Sequence, residues 1–396
     1  MFRIKKRWSL ATTLAIAAVT LSLFYYFIEE ELTSEQIPIE ETNGLQFQEV
    51  SFNALEGFSE DSIVEALVSF RHSCERIVKR SISYYAPAEE WQSVCKQFLS
   101  EQFLDDNAFR RFLRNNFRVY KVYYDGSAQG LFTGYYVPRL AASHYKTEEY
   151  NVPIYASPND MVHVDVEEFF PECKKCKIIG RVEDKRLKPY PDRKKIDTEE
   201  IDAEVLVWLK DTVDKFILQI QGSGRVYFPD GTERTIGFAG FNGHKFVGIG
   251  SLMIKEKLIA NGDYSMPSIS DWLKKNPQKA QELMWQNPRY IFFRLLDTEA
   301  VGGQGVPLTA GRSLAIDTNF INYGVPIWLD TVDADGKALQ RLMVAQDTGG
   351  AITGAVRGDF FWGAGDKAFH HAGRMKSKGE YYVLLPNNNN FTMKAE

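Results

Sequence analysis

The sequence predicts a mainly β chain with helices at its start and in its middle, folded as barrels rather than as a sandwich or an α/β sheet. Short runs rich in aromatic and β-branched residues, at 119–124, 131–137 and 290–295, are bounded by Gly, Asp and Pro turn signals. Helical spacing is confined to two regions, from about 63 to 113 and from about 251 to 288. From there to Pro386 the chain is short strands and glycine turns, a pattern that suits a closed barrel.

At the N-terminus, Arg3, Lys5, Lys6 and Arg7 precede a charge-free apolar run over 10–28, which Glu29, Glu30 and Glu31 end. A run of about 20 apolar residues can span a bilayer. The four cations should stay cytoplasmic, which leaves the rest of the chain outside. A cleaved signal peptide is the rival reading, but the segment ends in bulky Phe24-Tyr25-Tyr26-Phe27-Ile28 rather than in small residues. Residues 1–30 are therefore expected to be an uncleaved anchor. No cysteine follows the run, so a lipid-modified terminus is not expected. Residues 31–57 are polar without a clear period and read as a linker.

Helices follow. Ile63, Leu67, Phe70, Cys74 and Ile77 recur at spacings of four and three, one face of a helix. Pro87 suits a first turn, with Glu89 and Glu90 at the positive end of the helix dipole. That second helix should bury Trp91, Val94, Cys95 and Phe98. Asp105 and Asp106 open a third, with Phe109, Phe112 and Leu113 inside. The two strands 119–124 and 131–137 are split by Asp125-Gly126. Residues 205–220 alternate around Asp211 and read as strand. Tyr227 to Thr232, with Pro229-Asp230-Gly231 inside, reads as a tight hairpin turn. The helical period returns near 251 and stops at Asn261-Gly262. Ser268 and Asp271 resemble a capping box. Pro288 closes the section, and 387–396 is expected to be a tail.

Hydrophobic residues make up 44% and charged residues 25%, a globular composition. The net charge of −5 argues against nucleic acid, which calls for a basic stripe. Cys74 and Cys95 sit on adjacent predicted helices and could pair or be small core residues. Cys173-Lys174-Lys175-Cys176 is half of a zinc pattern with no second half, and a local disulfide or two free thiols is the plainer reading. His72, His144, His163, His244, His370 and His371 include no pair at metal spacing, so no metal or cofactor is expected.

The chemistry concentrates between Gln346 and Gly379. Asp347 and Asp359 lie in glycine-flanked turns of an apolar stretch. Beside Phe360, Phe361 and Trp362, Asp359 should be partly desolvated, which raises its pKa and keeps it protonated, as a general acid must be. The bland alternative is that both aspartates cap turns. Asp347-Thr348-Gly349 matches the aspartic-protease triplet, but that chemistry needs two such carboxylates and no second triplet occurs. Arg357-Gly358-Asp359 as an adhesion tripeptide is chance-level. Gly302, Gly303 and Gly305 do not open a helix after a strand, as a nucleotide loop would.

Several separated segments resemble the membrane-bound lytic murein transglycosylase A (MltA) family. Ala345-Gln346-Asp347-Thr348-Gly349-Gly350-Ala351-Ile352, then Arg357 and Asp359, Gly363-x-Gly365, Ala372-Gly373 and Val383-Leu384-Leu385-Pro386 resemble its C-terminal 3D domain. The three aspartates of that domain would be Asp317, Asp347 and Asp359. Phe132-Thr133-Gly134-Tyr135-Tyr136-x-Pro138 resembles the family's first motif, and Gln219-Ile220-Gln221-Gly222-Ser223-Gly224-Arg225 its central one. Ser265-Met266-x-Ser268-Ile269 through Asn287-Pro288 resembles its later helical part. The resemblance runs from about Gly57 to Pro386.

The resemblance implies a double-psi β-barrel from 58–137 and 288–386, with a second, smaller β-barrel inserted at 138–287 and a glycan groove between them. It implies an exo-acting lytic transglycosylase of the periplasm, with peptidoglycan glycan strands as substrate. Asp359 would be the catalytic acid and then the base. Asp347 and Asp317 would support it, and Thr133, Tyr135, Gln221, Ser223 and Arg225 would be groove residues. The family is usually an outer-membrane lipoprotein, whereas an uncleaved anchor favours the inner membrane. Any cell-wall synthesis or division partners stay unassigned. A glycan hydrolase using two carboxylates and a non-catalytic, expansin-like wall binder are the other classes.

Overall fold

The computed structural model describes residues 44–387, apart from residues 81, 83, 174, 175, 260 and 261. The expected anchor, residues 31–43 of the linker, the Asn261 stop signal and the tail beyond Asn387 lie outside the described residues. No helix among the described residues is long and apolar enough to cross a membrane.

The first strand, β1 (Leu45–Val50), falls where a linker was expected. Leu45 and Phe47 are buried while Gln46 and Gln48 are half-buried. Two apolar residues are too short an alternation to stand out in a polar stretch. Three helices follow, α1 (Leu67–Lys79), α2 (Ala88–Ser100) and α3 (Asp106–Asn116). Their inner faces are the expected ones: Phe70, Cys74 and Ile77; Trp91, Cys95 and Phe98; Phe109, Phe112 and Leu113. Asp105 caps α3, its Oδ1 accepting the Ala108 N–H at 2.7 Å. Cys74 and Cys95 are joined in a disulfide that links α1 to α2, and Cys173 is joined to Cys176.

Then come β2 (Phe117–Tyr124) and β3 (Gly130–Val137), and after them the strands β4 (Arg139–Ser143), β5 (Val152–Tyr155), β6 (Met161–Asp165), β7 (Lys177–Glu183) and β8 (Arg186–Pro189). A short helix α4 (Arg193–Thr198) leads to β9 (Val205–Leu209) and α5 (Thr212–Gln221). The expectation of a continuous strand over 205–220 is corrected here. Asp211 caps α5, its Oδ1 accepting from Val213 N–H at 2.6 Å, and Gly222, at φ 77°, ends it. Residues 213 and 215–219 of α5 are buried, so no polar face marks the helical period. The hairpin β10 (Ser223–Tyr227) and β11 (Glu233–Phe241) precedes α6 (Ile249–Lys255), α7 (Met266–Lys275) and α8 (Pro277–Trp285). Ser268 lies inside α7 instead of capping it, and its hydroxyl donates to Asp263 at 2.5 Å.

The last elements are β12 (Ile291–Leu296), β13 (Ser313–Ile316), β14 (Pro326–Val332), β15 (Ala338–Asp347), β16 (Arg357–Ala364), α9 (Asp366–Arg374) and β17 (Lys376–Pro386). Helix α9 was not expected. It buries only the small Ala368 and Ala372, which leaves no bulky apolar stripe in the sequence.

Strands β17, β14, β15, β13, β16 and β3 pair in that order, and β3 pairs again with β17. The ring is a closed barrel without a free edge, extended by β2 and β1 alongside β17. Two of its contacts, β13 with β15 and β16 with β3, are parallel. The helices α1 to α3 and the barrel share one core, which includes Trp91, Trp328 and Phe70. A second sheet has the order β12-β11-β10-β4-β9-β5, and a bridge between Ala156 and Phe293 brings its outer strands together, curling it into a smaller barrel. The expected return to the first barrel at 288 therefore comes later. The ladder partner of β12 is β11, and the first barrel resumes at β13. An apolar strand does not announce its partner.

Candidate active site

The site is built on one rung of the first barrel. Ala315 of β13 pairs with Asp347 of β15 on one side and with Asp359 of β16 on the other, and Asp359 pairs in register with Thr133 of β3. Residues opposed in register share a face of the sheet. A register shift between Leu314 and Ala315 sets Asp347 opposite Ala315. The preceding Gln346 is fully buried, its amide donating to Ser69 O and Ser73 Oγ. With adjacent strands about 4.8 Å apart, the two aspartates stand roughly 10 Å apart at their Cα atoms. Ala315 between them fills little of the gap.

Asp359 is half-buried, and burial pushes its pKa up to about 6 against the opposing pull of Arg357 and Thr133. Its Oδ1 accepts the Thr133 hydroxyl at 2.5 Å. The same Thr133 oxygen accepts from Arg357 Nη2 at 2.7 Å. Arg357 also reaches the carbonyls of Leu131 and Gly358.

Burial likewise pushes Asp347 up to about 6, against two backbone amides that favour its charged form. Its Oδ1 accepts from Gly303 N–H at 2.8 Å and from Thr348 N–H at 2.9 Å. The glycine loop that offers Gly303 packs too closely for side chains. A Cβ on Gly302 would lie 2.4 Å from Gln346 O, and one on Gly303 would lie 2.3 Å from Tyr323 Oη. Tyr135 packs on Phe361 at 5.1 Å between ring centres. Burial, Asp347 and Asp359 together hold its hydroxyl well above the usual phenol range. That hydroxyl lies near enough to Asp347 to be felt as a charge neighbour but has no hydrogen bond of good geometry among the described residues.

The structure thus brings Thr133, Tyr135, Asp347 and Asp359 together. The other expected site residues are tied elsewhere. Asp317 is buried beyond the end of β13, where its carboxylate accepts from Asn319 N–H at 3.0 Å and from Gly354 N–H at 2.8 Å. Gly354 has φ 118°, so Asp317 holds a turn that only glycine makes easily. Gln221 accepts the Tyr136 N–H at 3.0 Å and so fastens α5 to β3. Ser223 is buried in β10, and Arg225 is paired with Glu299. Sequence reasoning passed over Arg357 as a site residue. The available signal was its place two residues before Asp359, on the same face of a strand. No cluster of metal-ligating side chains occurs among the described residues.

A partly open carboxyl group with an elevated pKa, set in a barrel wall, is the equipment of a general-acid enzyme. Residues 131–294 match the family pattern of the MltA specific insert domain, and residues 312–385 match that of the 3D domain. A crystal structure of MltA from Neisseria gonorrhoeae is 34% identical and superposes with a TM-score of 0.76, covering 92% of this chain and 97% of that one. The chain belongs to the membrane-bound lytic murein transglycosylase A family. The membrane-bound lytic murein transglycosylase A of Escherichia coli (strain K12) is 32% identical over 263 residues, which is 64% of this chain and 65% of that relative. The match therefore spans just under two thirds of the curated relative's length. A crystal structure of E. coli MltA with bound chitohexaose is 25% identical, with a TM-score of 0.60 over 86% of this chain and 95% of that one.

Proposed function

We propose that the chain is a lytic transglycosylase that cuts the β-1,4 bond between N-acetylmuramic acid and N-acetylglucosamine in peptidoglycan, with Asp359 as its acid. The observation that carries this reading is the state of Asp359. Its pKa is pushed up to about 6, one oxygen is held by Thr133, and the other takes no hydrogen bond among the described residues. A carboxyl group so placed can protonate the glycosidic oxygen. The muramoyl C6 hydroxyl then attacks C1, the bond to the leaving sugar breaks, and a 1,6-anhydro end forms. Asp359, now ionised, takes the hydroxyl proton.

Because the nucleophile belongs to the substrate, no second catalytic carboxylate is required. This suits Asp347, whose Oδ1 is already occupied by two backbone amides. Asp347 and Tyr135 shape the pocket beside the acid, and Asp317 holds the turn behind it. Gln221 joins α5 to β3 of the first barrel, and Ser223 and Arg225 would meet the glycan from the second barrel. The family's membrane-bound relatives support a membrane-associated enzyme facing the periplasm, tethered through residues 1–30.

The test is the product. Purified protein is incubated with sacculi, and the released muropeptides are identified by mass spectrometry. Anhydromuropeptides are expected. Reducing ends as the main product would replace this reading with a two-carboxylate hydrolase, and binding without release would replace it with a wall-binding module.

A further inference from the structure

We infer that Arg357 is a positioning residue of this site: it fixes the Thr133 hydroxyl as a donor to one oxygen of Asp359 and so keeps the acid proton on the other. The inference rests on the reading of Asp359 as the acid. The argument turns on which group can donate to which. A threonine hydroxyl has one proton to give and two lone pairs to accept with, while a guanidinium can only donate. The contact between Arg357 Nη2 and Thr133 Oγ1 at 2.7 Å therefore runs from arginine to threonine. It uses one lone pair and leaves the hydroxyl proton to find an acceptor. The acceptor that the geometry offers is Asp359 Oδ1 at 2.5 Å.

A proton on Asp359 Oδ1 would meet the Thr133 proton head-on, or would force that hydroxyl to turn away with no acceptor. Leaving that part-buried donor unmade forfeits a hydrogen bond that the opposite arrangement keeps. The satisfied arrangement runs Arg357 to Thr133 to Asp359 Oδ1, with the acid proton on Oδ2. That oxygen takes no hydrogen bond among the described residues, so it is the one left to face a glycosidic oxygen. Arg357 is itself held in place. It lies on the same strand two residues before Asp359, is 8% exposed, and reaches the carbonyls of Leu131 and Gly358. Threonine on β3 and arginine on β16 are thus locked across a parallel strand pair.

Arg357 exerts a second, separable effect. Its charge lowers the pKa of Asp359, against burial. Removing the arginine should therefore lift the pKa of the acid while loosening the aim of its proton. A residue that merely braced the strands would do neither.

The experiment measures rate against pH for anhydromuropeptide release from sacculi by the full chain and four variants. Arg357→Met is expected to lose about tenfold in the acid-plateau kcat, the worth of one well-placed hydrogen bond, and its alkaline limb should move to higher pH. Thr133→Val should lose at least as much. The double variant should have the plateau of Thr133→Val alone, because the arginine aims the proton only through the threonine. Arg357→Lys keeps the charge but not the fork, so it should lose plateau rate without moving the limb. It also serves if the methionine variant does not fold, as judged by near-UV circular dichroism. An unchanged plateau and limb in Arg357→Met, a plateau at the wild-type level in Arg357→Lys, or losses that multiply in the double variant would each overturn the inference. Failure of the wild-type protein to give anhydro ends would instead strike the proposed function.

Discussion

Asp347 and Asp359 stand on one rung of the barrel wall with Ala315 between them. Both carboxyls are pushed up to about 6, and in each case burial is the leading cause. Mutual repulsion comes last for Asp359 and is not among the causes for Asp347. Separation by a full strand explains this, since like charges share a proton only at contact distance. The two groups are therefore alike in pKa and differ in what holds one oxygen: Asp359 accepts from the Thr133 hydroxyl, and Asp347 accepts from two backbone amides.

The first expected outcome concerns pH. The acid form of Asp359 does the work, so kcat/KM should be high below about pH 6 and fall tenfold per unit above it. The stability sign follows from the same shift. The folded pKa lies above that of the unfolded chain, so this carboxyl's contribution to stability is complete below about pH 4 and is lost as pH rises through about 6. Asp359→Asn cannot ionise. Its melting temperature should exceed the wild type's at pH 7.5 and match it at pH 4, while activity falls on the order of 10²–10⁴-fold. A fully active Asp359→Asn variant would remove Asp359 from the mechanism.

The second concerns Asp347. Its Oδ1 accepts both amides, and the amide oxygen of asparagine can do the same. Asp347→Asn should therefore keep the fold and much of its stability, with activity reduced because the group beside Tyr135 has changed. Asp347→Ala removes the acceptor of the Gly303 and Thr348 N–H groups, but both bonds are exposed and water can take its place, so urea unfolding should show a loss of about 1 kcal/mol or less. A dead but fully stable Asp347→Asn together with an active Asp359→Asn would reverse the two roles.

Much of this was legible in the sequence, and the gaps have physical causes. The inner faces of α1, α2 and α3 were readable because bulky residues repeat against a polar background. Helix α5 was not, because it is buried nearly all round and carries no contrast. Helix α9 hides because its buried residues are alanines. Thr133, Tyr135, Asp347 and Asp359 were readable as a set only through the family resemblance. Spacing alone cannot say that residues about 225 apart are strand neighbours. Arg357 escaped because its importance lies in a contact with Thr133 across a parallel strand pair, and such pairs leave no local signal.

The third concerns the N-terminus. A basic flank and an apolar run over 10–28 should keep the full chain with the membrane fraction through high-salt and carbonate washes, with Met1 to Ile28 retained in the mature protein. N-terminal sequencing and fractionation decide it. A soluble product beginning near residue 30 would show a cleaved signal instead.

The fourth concerns the link between the N-terminal helical segment and the barrel. Arg312, the residue before β13, is 1% exposed and holds Asp61 in a bidentate pair at 2.7 and 2.8 Å. The same guanidinium donates to the Ser62 and Leu342 carbonyls, and Asp61 also accepts the Leu342 N–H at 3.0 Å. The pair thus ties the turn before α1 to β15 and to the start of the strand that separates the two aspartates. Removing Asp61 leaves the buried Arg312 guanidinium with only the exposed Glu65 carboxylate, at 2.9 Å, so Asp61→Ala should cost about 3 kcal/mol. Replacing both by apolar residues removes the stranded charge. Asp61→Leu with Arg312→Met should therefore be more stable than either single change. Urea unfolding of the three variants measures this. A cost below about 1 kcal/mol for Asp61→Ala would mean that the pair is solvated and does not anchor the barrel.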